Sequence, residues 1–283
     1  MSVRIVTDSA SDISQELAKR WGITVMPLTI RFGEEEFLDG VTLSVRSFFE
    51  KLEAAEEPPK TSQITPYTYG QVFEEAVTAG DEVLCFTLSS GVSGSYRSAC
   101  MAADEFGGKV TVIDSRQFCI SQYVQVAYAV RLRDEGLSAE QIAQKVKSEM
   151  GRVHVIAMFD TLEYLKKGGR LSAAAAFTGH LLSIKPVLTI EEGVVKILGK
   201  ARGIRRGIAM MKEMTEKFGG IDFSRPVCLG YTGSSDEELR QFIAETKSLY
   251  GGNEDKIAVA EVGATIGTYA GPGAIALAFY AKA

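Results

Sequence analysis

The sequence predicts an α/β fold made of two stacked α/β domains, and three observations carry that expectation. Short apolar runs bounded by polar turn residues alternate with stretches whose apolar residues recur at helical spacing, a rhythm that builds a parallel sheet with helices on both faces. The alternation resumes beyond Gly151, so residues 1–150 and 151–283 each read as an α/β unit. At 283 residues and 46% hydrophobic composition, the chain is long enough to bury a core in each.

Residues 3–7 read as a buried strand ending in Asp8-Ser9-Ala10-Ser11-Asp12, a polar cluster at the strand's carboxyl end, where open α/β sheets gather ligands. Leu17, Ala18 and Trp21 form the stripe of a short helix that stops at Gly22. Residues 30–38, with Gly33-Glu34 in the middle, predict a hairpin, and Ser44 starts a helix carrying Phe48, Phe49 and Leu52. Thr65 caps the next helix with Pro66 at its first position. Thr61 and Ser62 lie just before it in an expected loop, where side chains reach ligands more often than they pack.

The strand over residues 83–88 leads into Ser89-Ser90-Gly91-Val92-Ser93-Gly94-Ser95-Tyr96 and then a helix to Phe106. Serine hydroxyls, two glycines and the free N–H groups of a helix start suit a small anion such as a carboxylate or phosphate. The alternative is an ordinary turn in which serines cap and glycines bend. A strand over 109–113, a long helix over 121–135 and a helix boxed by Ser138 and Gln141 complete the first half.

The second half opens with a strand over 153–158 and a short helix that ends at Gly168-Gly169, placing Arg170 in a tight connection. Residues 173–182 are alanine-rich and predict a buried helix, or one lining something apolar. Residues 186–191 and 194–198 form a hairpin turning at Glu192-Gly193, followed by a basic cluster of Lys200, Arg202, Arg205 and Arg206. A helix to Phe218, a strand over 226–231, a helix boxed by Ser235 and Glu238 running to Tyr250, and strands over 257–262 and 275–280 close the chain. Gly263, Gly267 and Gly271, with Thr268, Tyr269 and Pro272 among them, read as a loop between the last two strands.

Composition excludes several classes. Residues 160–212 hold ten Lys/Arg against four Asp/Glu inside a chain of net charge -5. One face can therefore meet an anionic partner, or is merely solvated, and a nucleic-acid binder is not expected. No apolar run of about 18 residues and no leader pattern is seen, so the expectation is a soluble cytoplasmic protein without a membrane span. Cys85, Cys100, Cys119 and Cys228 show no metal spacing and read as reduced structural thiols. With only His154 and His180, a metal site or a histidine-based triad has little material. Gly91-Val92-Ser93-Gly94-Ser95 also misses the nucleophile elbow G-x-S-x-G, and no nucleotide fingerprint is present. A serine-nucleophile hydrolase or acyltransferase built on Ser93 is the second reading.

Asp8-Ser9-Ala10-Ser11-Asp12, Thr61-Ser62-Gln63, the stretch from Ser89 to Tyr96, Val112-Ile113-Asp114-Ser115, residues 164–172, Lys185-Pro186, Ile266-Gly267 and Gly271-Pro272-Gly273 together resemble the DegV family. That family includes the fatty-acid-binding subunits of bacterial fatty acid kinase. The resemblance covers essentially the whole chain. It implies a DegV-like fold with a lipid site between and within the two domains, enclosing one long-chain fatty acid. It also implies a ligand set of Ser93 and Thr61, with Tyr269, Ser62, Gly94 and Thr268 beside them, and no other cofactor or metal. Arg170, Lys200, Arg202 and Arg205 then face an ATP-dependent fatty acid kinase subunit, and any membrane contact is transient. On this likeness the chain is not itself an enzyme, since phosphoryl transfer needs a metal and nucleotide held by the partner. The family usually has histidine where this chain has Tyr269, which can donate a hydrogen bond but cannot become cationic near neutral pH.

Overall fold

The first apolar run forms β1 (Val3–Asp8), and α1 (Gln15–Trp21), capped by Ser14, stops at Gly22 in the left-handed conformation. β2 (Thr24–Met26) lies parallel to β1. β3 (Thr29–Phe32) and β4 (Glu35–Leu38) make the hairpin, turning at Gly33 with φ 56°. The Ser44 side chain caps α2 (Val45–Ala54), which buries Phe48, Phe49 and Leu52. Residues 60–62 are not the expected loop: β5 (Lys60–Ser62) pairs antiparallel with β3 and completes a small three-stranded sheet.

α3 (Pro66–Thr78) begins at the Thr65 cap, β6 (Glu82–Thr87) follows, and α4 (Ser95–Ala103) opens directly behind the serine-glycine turn. β7 (Val110–Asp114), α5 (Ile120–Asp134) and α6 (Ala139–Glu149), the last with the predicted Ser138–Gln141 box, complete this half. The four strands β2-β1-β6-β7 form an all-parallel sheet, which puts the carboxyl ends of β1 and β6 side by side.

The computed structural model describes residues 2–171 and 184–283, so the helix expected over 173–182 and His180 lie outside the described residues. β8 (Val153–Met158) and α7 (Glu163–Lys167) precede the hairpin of β9 (Ile184–Glu191) and β10 (Val194–Arg202), whose turn holds Glu192 and Gly193 at φ 52° and 79°. Then come α8 (Ile204–Lys217), β11 (Val227–Tyr231), α9 (Glu237–Glu245), β12 (Ile257–Glu261), α10 (Ala264–Ala270) and β13 (Ile275–Tyr280).

Three expectations need correction here. The continued alternation does not produce a second parallel sheet. Its order is β10-β9-β8-β13-β11-β12, and only the β11–β12 pair is parallel, because the hairpin adds two antiparallel strands and β13 returns between β8 and β11. α9 lacks the predicted box and ends early: the Thr246 hydroxyl donates to the Phe242 carbonyl at 2.6 Å and meets the Tyr250 hydroxyl at 2.7 Å. The glycine-spaced segment is the helix α10 rather than a loop. A Cβ on Gly267 would stand 2.6 Å from Phe48 and 3.0 Å from Phe49, so glycine there lets α10 pack backbone-first on α2.

α5 joins the two large sheets. It is buried on nearly every side, down to Gln122 and Gln125, and its apolar residues belong to one cluster reaching from Ile5 and Leu84 to Cys228 and Ala278. Burial on several sides, polar residues included, is what a helix covered on both faces shows. All four cysteines are free.

Candidate functional site

A cavity of about 210 Å³ opens where the carboxyl end of β6, the strand β5 and the helix α10 converge. Its polar side chains are those of Thr61, Gln63, Ser93, Arg170, Thr265 and Tyr269, with Gly94 beside them. Thr61 projects from β5, and its hydroxyl lies 2.6 Å from the Tyr269 hydroxyl on α10. Each hydroxyl carries one hydrogen; one is used between them and the other remains for an acceptor in the cavity. Ser93 sits on the turn before α4, with its Oγ accepting the Ser95 N–H at 3.2 Å and 3.1 Å from Ser95 Oγ.

The other serines of the turn hold it in place. Ser89 Oγ donates to the Gly193 carbonyl at 2.7 Å and accepts the Gly91 N–H at 3.1 Å, docking the turn onto the β9–β10 hairpin. Ser90 binds Asp114 through its hydroxyl at 2.5 Å and its N–H at 3.2 Å. Ser93 is the one of these serines that lines the cavity among the described residues. Gly94 is needed for a close approach: a Cβ there would overlap the Gln63 amide, which reaches across to donate to Ser98 Oγ at 3.1 Å.

Tyr269 rests its ring on the Gly168 backbone, where a side chain would overlap it. The Arg170 guanidinium carbon lies 5.1 Å from the centre of the Tyr269 ring, in cation–π range. Arg170 therefore borders the cavity mouth as well as solvent. Arg202 lies seven residues along β10 from the cavity-lining Val195, a span of about 20 Å. Arg202, Arg205 and Lys200 are all exposed, and none of them lines the cavity.

Two predicted ligand residues are not brought to the cavity. Ser62 is exposed and outside the lining, since on a strand alternate residues face opposite sides, and Thr61 and Gln63 take the inner one. Thr268 is buried, and its hydroxyl donates to the Ala264 carbonyl at 2.8 Å inside α10. Gln63 was missed as a lining residue. A strand in place of the expected loop supplies the period-2 signal that pairs it with Thr61.

Phe118, Phe159, Val195, Ile266 and Ala270, at the apolar end of the cavity, also line a second, smaller chamber of about 60 Å³. This chamber lies between the start of α5 and the six-stranded sheet, against residues such as Val155, Leu188, Gly230 and Val262. Its two threonines are satisfied elsewhere: Thr189 Oγ1 donates to the Val155 carbonyl at 2.7 Å, and Thr232 Oγ1 accepts the Ala274 N–H at 2.8 Å. One space thus offers hydroxyl donors and a guanidinium, and the other offers hydrocarbon.

Neither a histidine nor a carboxylate lines the cavity among the described residues. His154 is stacked on Phe218 at 4.6 Å, and burial lowers its pKa. Among the described residues no group of His, Cys, Asp and Glu is placed to hold a metal, and no helix is long and apolar enough to cross a membrane.

With this geometry in hand, similarity to known proteins is informative. The model of the DegV family, a family of uncharacterised proteins, matches residues 2–282. A DegV domain-containing protein of Caldanaerobacter subterraneus is 36% identical over 282 residues, 99% of each chain. A fatty-acid-binding DegV family protein of Thermus thermophilus superposes with a TM-score of 0.89 at 31% identity, covering 100% of both chains. A stearic-acid-binding protein of Eubacterium ventriosum gives 0.86 at 29%, covering 98% of this chain and 97% of the other. The family match and these whole-chain likenesses place the protein in the DegV family.

Proposed function

We propose that this chain binds one long-chain fatty acid, with its carboxylate at Ser93, Thr61 and Tyr269 and its tail in the apolar chamber. The observation that carries the reading is the wall that the two spaces share. Five residues, from Phe118 to Ala270, line both the hydroxyl-bearing cavity and the hydrocarbon chamber. An amphipathic anion with a single long tail matches that sequence of surfaces. The stearic-acid-binding and fatty-acid-binding relatives of the same fold support the choice of ligand.

The finer part of the proposal is that the chain acts as a carrier rather than an enzyme. It presents the carboxylate to an ATP-dependent fatty acid kinase subunit for conversion to acyl phosphate. Arg170 at the mouth, with Lys200, Arg202 and Arg205 on the exposed basic stretch, forms the surface that meets the kinase. Hydroxyl donors at the polar end suit holding a carboxylate. The division into units 1–150 and 151–283 belongs to the same reading, with the ligand between them.

Mass spectrometry of lipid extracted from the purified protein tests the first part, and one fatty acid per chain is expected. Protein that is empty and takes up no added palmitate would overturn it. Mixing loaded protein with a fatty acid kinase subunit and ATP tests the second: acyl phosphate should form only with both components. Charge reversal at Arg202 and Arg205 should suppress that product while leaving the lipid bound.

A further inference from the structure

The cluster Asp8-Ser9-Ala10-Ser11-Asp12 sits behind the cavity and does not line it. Its side chains nevertheless hold the backbone of residues that do. Asp8, fully buried, accepts the Leu88 N–H at 2.7 Å with one oxygen and the Gln122 amide at 3.2 Å with the other. Leu88 lines the cavity and leads directly into the turn bearing Ser93. Ser9 Oγ accepts the N–H of Leu28, another lining residue, at 3.1 Å.

Asp39, from the end of the β3–β4 hairpin, reaches the first turn of α10. Its Oδ1 accepts the Ala264 N–H at 3.0 Å, and its Oδ2 accepts both the Thr265 N–H at 3.0 Å and the Thr265 hydroxyl at 2.6 Å. Asp12 accepts the preceding Gly263 N–H at 2.8 Å. Ser9 Oγ, 3.4 Å from Thr265 Oγ1, connects the two groups of contacts. Thr265 also lines the cavity, and α10 carries Tyr269 one turn further on.

We propose that Asp8, Ser9 and Asp39 are positioning residues that set the distance between the two walls of the carboxylate site, the Ser93 turn and the Tyr269 helix. Asp8 fixes one wall, Asp39 fixes the other, and Ser9 ties both to β1. The inference rests on the fatty-acid reading of the site, because a wall spacing has meaning only for the group held between the walls. A buried carboxylate is costly unless it is hydrogen-bonded, and here each accepts backbone N–H groups at a cavity wall that would otherwise lack a partner.

The test compares palmitate with 1-hexadecanol, which share a tail length and differ in the head group. Asp39→Asn keeps the side chain's size but turns an NH₂ towards one of the N–H groups that need an acceptor. The expected result is at least a tenfold fall in the preference for palmitate, with hexadecanol affinity within about twofold of wild type. A purely structural role would weaken both ligands together. Ser9→Ala, which leaves all three carboxyls in place, is the second variant should Asp39→Asn not fold, and the same loss of preference is expected. Unchanged preference in every folded variant overturns the proposal. A wild-type chain that binds neither ligand overturns instead the fatty-acid reading.

Discussion

The Thr61 and Tyr269 hydroxyls meet at 2.6 Å although 208 residues separate them in sequence, and this contact closes the polar end of the cavity between β5 and α10. Because the pair consumes only one of its two hydrogens, it is a preorganised single donor. Tyr269→Phe combined with Thr61→Val removes that donor and leaves the ring over Gly168 and under Arg170, whereas Tyr269→Phe alone leaves the Thr61 hydroxyl free to donate. A hydrogen bond to a charged group contributes about 1.5–3 kcal/mol, so fatty-acid affinity should fall by roughly ten- to a hundredfold in a displacement assay. The tail contributes about 0.8 kcal/mol per methylene, so hexadecanol binding should hardly change. Equal losses for both ligands would show that the pair acts through packing.

Ser93→Ala separates holding from presenting. The hydrocarbon tail supplies on the order of 10 kcal/mol for roughly fourteen methylenes before ordering costs, several times what one hydroxyl gives. The variant should still copurify with lipid, while acyl phosphate formation with a kinase subunit drops by tenfold or more. A folded variant without any lipid would contradict this division of labour.

Much of this architecture is legible in the sequence because it is local. Ser44, Thr65 and Ser138 each mark a helix start that the structure keeps, and Gly22 marks a helix end. Ser93 stands out because a serine-glycine turn between an apolar strand and a helix has few other uses. What is hidden depends on partners distant in sequence. α10 reads as a loop because its helix depends on Gly267 packing against Phe48 and Phe49, some 220 residues earlier, which no local pattern records. Thr61 on β5, and Gln63 just past its end, gain their alternation from the pairing of β5 with β3, and a strand of three residues carries almost no periodic signal. The direction of β13 is set by its neighbours β8 and β11, so strand-helix alternation alone could not reveal an antiparallel sheet.

The buried acids give stability a defined pH dependence. Burial pushes the Asp8 carboxyl up to about 7 and Asp12 to about 8, against hydrogen bonds from the Leu88 and Gly263 N–H groups that pull them down. Between the ordinary carboxylate range and pH 8 the folded state binds more protons than the unfolded one. Their contribution is therefore complete below about pH 4 and is lost as pH rises towards 8. Glu149 and Asp222 act in the opposite sense. Burial raises both, but hydrogen bonds and charge from Arg225 and Arg152 at Glu149, and from Ser224 and Arg152 at Asp222, outweigh it, so their contribution is lost in acid. The melting temperature should peak at about pH 4 and fall by several degrees by pH 8.5. Asp12→Asn, which keeps an acceptor for Gly263, should flatten the alkaline limb in a thermal scan; an unchanged slope would remove Asp12 from the account.

Gly230 stands at the wall of the chamber proposed for the tail. It lies on β11 at the chamber wall, and a Cβ there would stand 2.9 Å from Ile120 and 3.2 Å from Val262, two side chains that already close that side. Neither neighbour can retreat cheaply, because Ile120 is fully buried at the start of α5 and Val262 nearly so. Gly230→Ala should therefore push material into the chamber, with a stability cost of about 1–3 kcal/mol. Its effect on binding should be graded by length. Lauric acid, with the shorter tail, should be affected least, whereas stearic acid should weaken by tenfold or more, losing about two methylenes' worth of burial. Competition between the two acids for the wild-type and Gly230→Ala proteins measures this directly, and a parallel loss for both would mean that the tail does not reach β11.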